Sequence, residues 1–143
     1  MNNIAAELSN TINDFITHHS SELKWTESPD LEKWTAIEIL GHLTDSALVN
    51  LHRFVRCTYE SDFMLSYAQD EWVAAQHYKE ADLTELLTLW QLLNNQIITV
   101  LNNYPTNRWQ AKCNNESVEF LAADYVNHMR HHLEQIIELK STA

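Results

Sequence analysis

One glycine, Gly41, and two prolines, Pro29 and Pro105, are all the strong backbone punctuation in 143 residues. A fold of many short strands needs many tight turns, so this scarcity suits helices joined by polar loops far better than such a fold. Cysteine is nearly absent too. Cys57 and Cys113 are too few and too far apart for a disulfide framework or a Cys-x-x-Cys redox pair. Both are read as reduced, with Cys113, beside Lys112 in an expected polar loop, in the setting of a reactive thiol but without a sequence-evident base. Basic side chains are scarce: nine Lys and Arg face twenty Asp and Glu, a formal net charge of −11. Such a chain has little attraction for phosphate backbones or anionic lipid, so neither nucleic acid nor membrane is expected as a partner. No apolar run approaches the ~20 residues of a bilayer span, and Met1-Asn-Asn-Ile lacks signal-peptide character, which makes the cytoplasm the expected location.

What is present is helical periodicity. The length suits one domain, residues 1–143, with enough chain to bury a core without cross-links. Ile4, Leu8, Ile12, Phe15 and Ile16 recur at spacings of three and four and predict a first amphipathic helix from Asn3 to about His19. Residues 20–33 form a connection in which Leu23, Trp25 and Leu31 are expected to pack back on the fold. Thr35 and Glu38 have the spacing of a capping box, with Trp34 and Ile39 at the positions of a hydrophobic staple. The second helix starts there and is expected to reach about Tyr59, burying Ile37, Leu40, Thr44, Ala47, Leu48, Leu51 and Val55. Asp70 to His77 can form a short helix over the bundle mouth. Asp82 then caps a long helix carrying Leu83, Leu86, Leu87, Trp90, Leu93, Ile97 and Leu101, which Pro105 prevents from running much beyond Tyr104. The last helix runs from near Ser117 to about Lys140. The expected architecture is an all-α four-helix bundle with long crossover connections.

Two histidines stand out in that last helix. His128 and His132 are one turn apart, about 40° from each other on one face, close enough to ligate a single ion. They share an expected seam with Leu121, Tyr125, Ile136 and Leu139. Buried imidazoles need partners for their ring nitrogens, and a metal ion satisfies one nitrogen from each. A third imidazole from another helix would leave a coordination position open for chemistry. His42 is a candidate, although Glu38, Asp45, Ser46, Val49 and Arg53 share its face and the dominant apolar stripe lies nearly opposite; that face suits either a polar pocket or ordinary solvent. Gly41 beside it points to a close approach, by a neighbouring helix or by something at the metal site. Glu38, Asp45 and Asp124 are candidates to accept the outer N–H of a ligating histidine. His131 lies about 100° from His132 and is expected to point elsewhere.

Trp34-Thr-Ala-Ile-Glu-Ile-Leu-Gly-His42-Leu-Thr-Asp-Ser46 with Arg53-Phe54, then Tyr67-Ala-Gln-Asp70-Glu-Trp72, then Asp124-Tyr-Val-Asn-His128-Met-Arg-His-His132-Leu-Glu-Gln-Ile136 together resemble the DinB/YfiT-like superfamily of metal-binding four-helix bundles. Position by position, the resemblance implies a ligand triad of His42, His128 and His132. It also implies a divalent ion, Zn or Ni, as cofactor. The chain departs from some relatives in carrying Ala47 where they have a further histidine, and Gly41 just before the ligand.

Members of that superfamily include S-transferases and isomerases that use low-molecular-weight thiols, alongside proteins described as metal-dependent hydrolases. The leading expectation is therefore an enzyme transferring a small-molecule thiol to an electrophile, with Asp45, Arg53 and Tyr67 as candidate catalytic residues and Asp70 and Trp72 helping to form the pocket wall. One alternative is a hydrolase in which metal-activated water attacks an amide or ester with Asp45 or Glu38 as base; another is a non-catalytic bundle braced by its metal. A homodimer is the default from the symmetry habits of soluble proteins.

Overall fold

The computed structural model describes residues 2–29 and 34–141. Helices α1 (Asn2–His18), α2 (Ala36–Arg56), α3 (Gln69–Gln76), α4 (Leu83–Asn102) and α5 (Val118–Ser141) account for most of them. The four long helices pack as α1 on α4, α4 on α2, α2 on α5 and α5 on α1. Successive helices α1 and α2 therefore sit across a diagonal of the bundle, as do α4 and α5. That arrangement is why both connections are long. The core between them is filled by Leu8, Ile12 and Phe15 of α1, Leu40, Leu43 and Phe54 of α2, Trp90 and Ile97 of α4, and Met129 and Ile136 of α5. Phe15 makes edge contacts with Trp90 (5.8 Å) and Trp25 (6.2 Å), so the first connection is folded back on the core as its apolar residues require. Leu31 lies outside the described residues.

Local chemistry starts and stops the helices. Thr35 and Glu38 form the expected capping box: the Glu38 N–H donates to Thr35 Oγ1 (3.4 Å) and the Thr35 N–H to Glu38 Oε1 (3.0 Å). The Asp82 carboxylate accepts from the Glu85 N–H at the head of α4 (3.0 Å). Helix α3 ends at His77, which adopts the left-handed conformation (φ 52°). Helix α2 stops at Arg56, short of the expected Tyr59, and Arg108 donates to the carbonyls of Cys57 (2.9 Å) and Glu60 (3.0 Å) beyond it.

Three expectations need correction. Leu48 and Val55, assigned to the buried stripe of α2, are 40% and 43% exposed. Conversely, Asp45, Ser46 and Val49, around the face shared with His42, are buried: the crossover through α3 packs on α2, and Ser46 borders a pocket that α5 also lines. On α5 the buried line runs through Val118, Ala122, Val126, Met129, Leu133 and Ile136, which puts His128 and His132 at its margin rather than in its centre. Cys113 is not in a polar loop. It is fully buried in a two-residue strand, β1 (Lys112–Cys113), paired antiparallel with β2 (Glu116–Ser117). Asn114 and Asn115 turn this hairpin with φ of 53° and 66°, the type I′ geometry that asparagine tolerates without glycine. Cys57 is buried as well, and burial pushes its thiol up to about 11, so it is a poor nucleophile.

Candidate metal centre

His42 enters from the second turn of α2, where the capping box fixes the start of the helix, and it is only 1% exposed. The Trp34 indole lies over it at 4.8 Å between ring centres. Neither ring nitrogen of His42 has a hydrogen-bond partner among the described residues. Two buried, unsatisfied nitrogens cost the fold free energy on the order of 1–3 kcal/mol each unless something else satisfies them. Helix α5 supplies the neighbours: the His128 and His132 rings are centred 5.4 Å and 5.0 Å from that of His42. One nitrogen from each of the three lies within 4.8 Å of the others.

This geometry fits a cation. His128 Nε2 and His132 Nε2 are 3.2 Å apart. Two nitrogens held at about 2.0–2.1 Å from a tetrahedral Zn²⁺ would be separated by roughly 3.3 Å. The Gln135 side-chain oxygen accepts from His132 Nδ1 (2.9 Å), the tautomer that leaves Nε2 with its lone pair free. The surroundings of all three rings disfavour the protonated form, which cannot ligate. Burial, followed by repulsion from His132 and His128, lowers the pKa of His42 to about 3. Partial desolvation lowers His128 and His132 too, the Gln135 bond opposing the shift at His132 and the Asp124 charge opposing it at His128.

Beside His128 opens a polar pocket of about 190 Å³ that includes Ser46, Asn50, Arg53, Tyr67 and Asp124. Arg53 and Tyr67, both singled out in the sequence, therefore share a pocket with His128. Arg53 donates to Asn50 Oδ1 (3.2 Å) and to the Leu65 carbonyl, while its Nε is buried and unpartnered. Tyr67 has its pKa raised, by burial first and then by the charge of Asp45.

Other expected residues are placed differently. Asp45 holds neither nitrogen of His42: its Oδ1 accepts from the Tyr78 hydroxyl (2.5 Å) and from Gln76 Nε2 (2.9 Å), and burial raises its pKa against those two bonds. Glu38 is occupied by the helix cap and lies 4.0 Å from the Lys79 ammonium. Asp70 is exposed and does not line the pocket, and Trp72 lines a neighbouring cavity instead. Asp124 is the one of the three acidic candidates that borders the same pocket as His128. His131 is exposed and outside the three-histidine cluster, although its ring centre lies 5.6 Å from that of His132. Gln135 went unnoticed in the sequence, although its place three residues after His132 on one helix face is the signal that would have found it.

The DinB superfamily profile matches residues 7–136. The chain belongs to the DinB superfamily. The solved structure of YfiT from Bacillus subtilis, described as a probable metal-dependent hydrolase with an unusual four-helix bundle topology, superposes with a TM-score of 0.75 at 22% identity, covering 99% of this chain and 82% of that one. At that identity the likeness carries the fold of this DinB superfamily member, not its activity. No curated protein matches the chain. No helix among the described residues is long and apolar enough to cross a membrane.

Proposed function

We propose that this chain is a divalent-metal enzyme that transfers a low-molecular-weight thiol to a small electrophile, with His42, His128 and His132 as the ligands and Zn²⁺ or Ni²⁺ as the ion. The observation that carries the reading is the convergence of three imidazoles, one with both nitrogens unsatisfied, beside a polar pocket. When bound, the ion supplies Lewis acidity that lowers the pKa of a thiol it contacts. The protein's part is to present the three imidazoles and to keep water from His42, which Trp34 covers, while Gln135 orients His132 and His128 stays exposed to the pocket side. The sulfur then forms a bond to the electrophilic carbon, the leaving group departs with its electron pair, and the thiol proton passes to solvent. That sequence needs no positioned carboxylate base, which suits a site where Asp45 and Glu38 are both engaged elsewhere.

A hydrolytic reading is favoured by one residue, Asp124, a carboxylate bordering the same pocket as His128. YfiT is itself described as a probable hydrolase. The two readings separate in one assay. Metal-loaded protein is incubated with a panel of thiols and electrophiles while free thiol is followed, and with amide and ester substrates in the absence of thiol. Metal-dependent thiol consumption supports transfer; turnover only without thiol overturns it in favour of hydrolysis, and inactivity in both arms removes the enzyme reading.

A further inference from the structure

Tyr67 borders two cavities. The first is the polar pocket of about 190 Å³ beside His128. The second, of about 450 Å³, is walled mainly by Leu48, Val49, Leu65, Ala68 and Trp72, with His52 and Ser66 as its other members. Small-molecule sites commonly occupy ~300–1,000 Å³, so the polar pocket alone is too small for a whole substrate, whereas its neighbour falls within that range. The walls also differ in kind. Hydrogen-bonding and charged groups dominate the first, and aliphatic and aromatic side chains the second.

Tyr67 is the residue common to both linings, and the segment that leads to it is fixed at Leu65, in the wall of the second cavity. Asn114, at the tip of the hairpin, grips the Leu65 backbone twice, accepting from its N–H (2.8 Å) and donating to its carbonyl (2.8 Å). Arg53 donates to the same carbonyl. Two residues on, the Tyr67 ring meets Trp72 edge-on at 5.4 Å. The cavity is thus formed before any ligand arrives, which limits the ordering cost of binding. Leu48 opens onto it from a helix most of whose residues between Ala36 and Asn50 are buried, and remains 40% exposed.

We propose that this second cavity receives the apolar arm of the electrophilic substrate, whose reacting end lies in the polar pocket beside His128. The substrate class is then a small molecule with a polar, reactive head and an alkyl or aryl tail, and Leu48, Ala68 and Trp72 set the tail that is accepted. The assignment rests on the metal reading of His42, His128 and His132, and its test separates the two.

Straight-chain hydroxamates, from acetohydroxamate to octanohydroxamate, carry a metal-binding head and a tail of graded length. Their affinity for the zinc-loaded chain is measured by calorimetry. Each methylene that enters the cavity is expected to tighten binding roughly fourfold. Leu48→Asn and Ala68→Glu, both at exposed positions and so compatible with folding, flatten that dependence across the series. An affinity indifferent to tail length, or a dependence equally steep in both variants, overturns the proposal. In parallel, 1-hexanol, which has no chelating head, is titrated into the metal-free chain and followed at the Trp72 indole N–H resonance. Saturable shifts there support the cavity even if no hydroxamate binds, an outcome that would remove the metal reading alone. If Trp72 does not respond and Leu48→Asn converts a dimer to monomers in sedimentation, the cavity is covered by a second copy of the chain and the proposal fails.

Discussion

The ring of Tyr78 occupies the space a side chain at Gly41 would need: a Cβ built there falls 2.0 Å from Tyr78 Cδ2 and 2.3 Å from Cγ. Those atoms lie near the root of the side chain, and the far end is fastened to Asp45, so the ring cannot swing aside without moving the crossover. Alanine would gain up to ~1 kcal/mol in helix propensity. Overpacking of this severity costs about 1–3 kcal/mol or more. Gly41→Ala is therefore expected to destabilise the chain in urea unfolding, and Tyr78→Ala in the same background is expected to recover part of the loss. An unchanged midpoint for Gly41→Ala would show that the contact yields.

Acid should unfold the metal-free chain in a way traceable to His42. Its pKa, pushed down to about 3 mainly by burial, lies below the unfolded value near 6.5. Above pH 6.5 neither state is protonated and no penalty applies; as pH falls from there toward 3, the unfolded chain takes up a proton that the folded chain refuses, and stability declines. Since carboxylates also titrate over that range, the informative quantity is the difference between the native chain and His42→Leu. Unfolding midpoints measured from pH 7 to 4 should fall less steeply in the variant. Parallel slopes would mean that His42 is not held neutral by its burial.

Removal of a metal ligand and removal of its support should differ in degree. His132→Ala is expected to reduce zinc affinity by more than about 100-fold, whereas Gln135→Leu, which deletes only the acceptor at Nδ1, should reduce it by about 10–100-fold. Competition against a chromophoric chelator measures both. Equal affinity in Gln135→Leu and the native chain would mean that the Gln135 contact does not orient the ring.

Asp45 offers a further discrimination. If it holds Tyr78 and Gln76 as its hydrogen bonds indicate, Asp45→Ala should destabilise the fold by about 1–3 kcal/mol. Asp45→Asn, which keeps the acceptor oxygen, should retain zinc affinity and turnover within about threefold. Loss of activity in a folded, metal-loaded Asp45→Asn protein would identify the carboxylate as a proton acceptor instead.

Sequence patterns were legible where a single helix determines the outcome. The Thr35 and Glu38 cap, the Asp82 cap and the one-turn spacing of His128 and His132 each depend on residues three or four apart, and each is found as expected. The burial of His42 was not legible by periodicity. Apolar spacing locates a helix face that meets apolar neighbours, but beside this face packs a crossover that brings its own polar groups, Gln76 and Tyr78, to Asp45 Oδ1. Only the resemblance of the whole motif pointed to His42. The hairpin at Asn114 and Asn115 escaped for a similar reason, since a left-handed turn built from asparagine leaves no glycine to mark it.

The diagonal placement of α1 against α2 and of α4 against α5 has a kinetic consequence. Neither pair makes a self-contained helical hairpin, so much of the apolar seam must wait for segments distant along the chain. His42 cannot meet His128 until α5 has been synthesised and docked. A nascent chain leaving the ribosome would therefore stay open until α5 has emerged, and folding should be slower than the helical content alone implies.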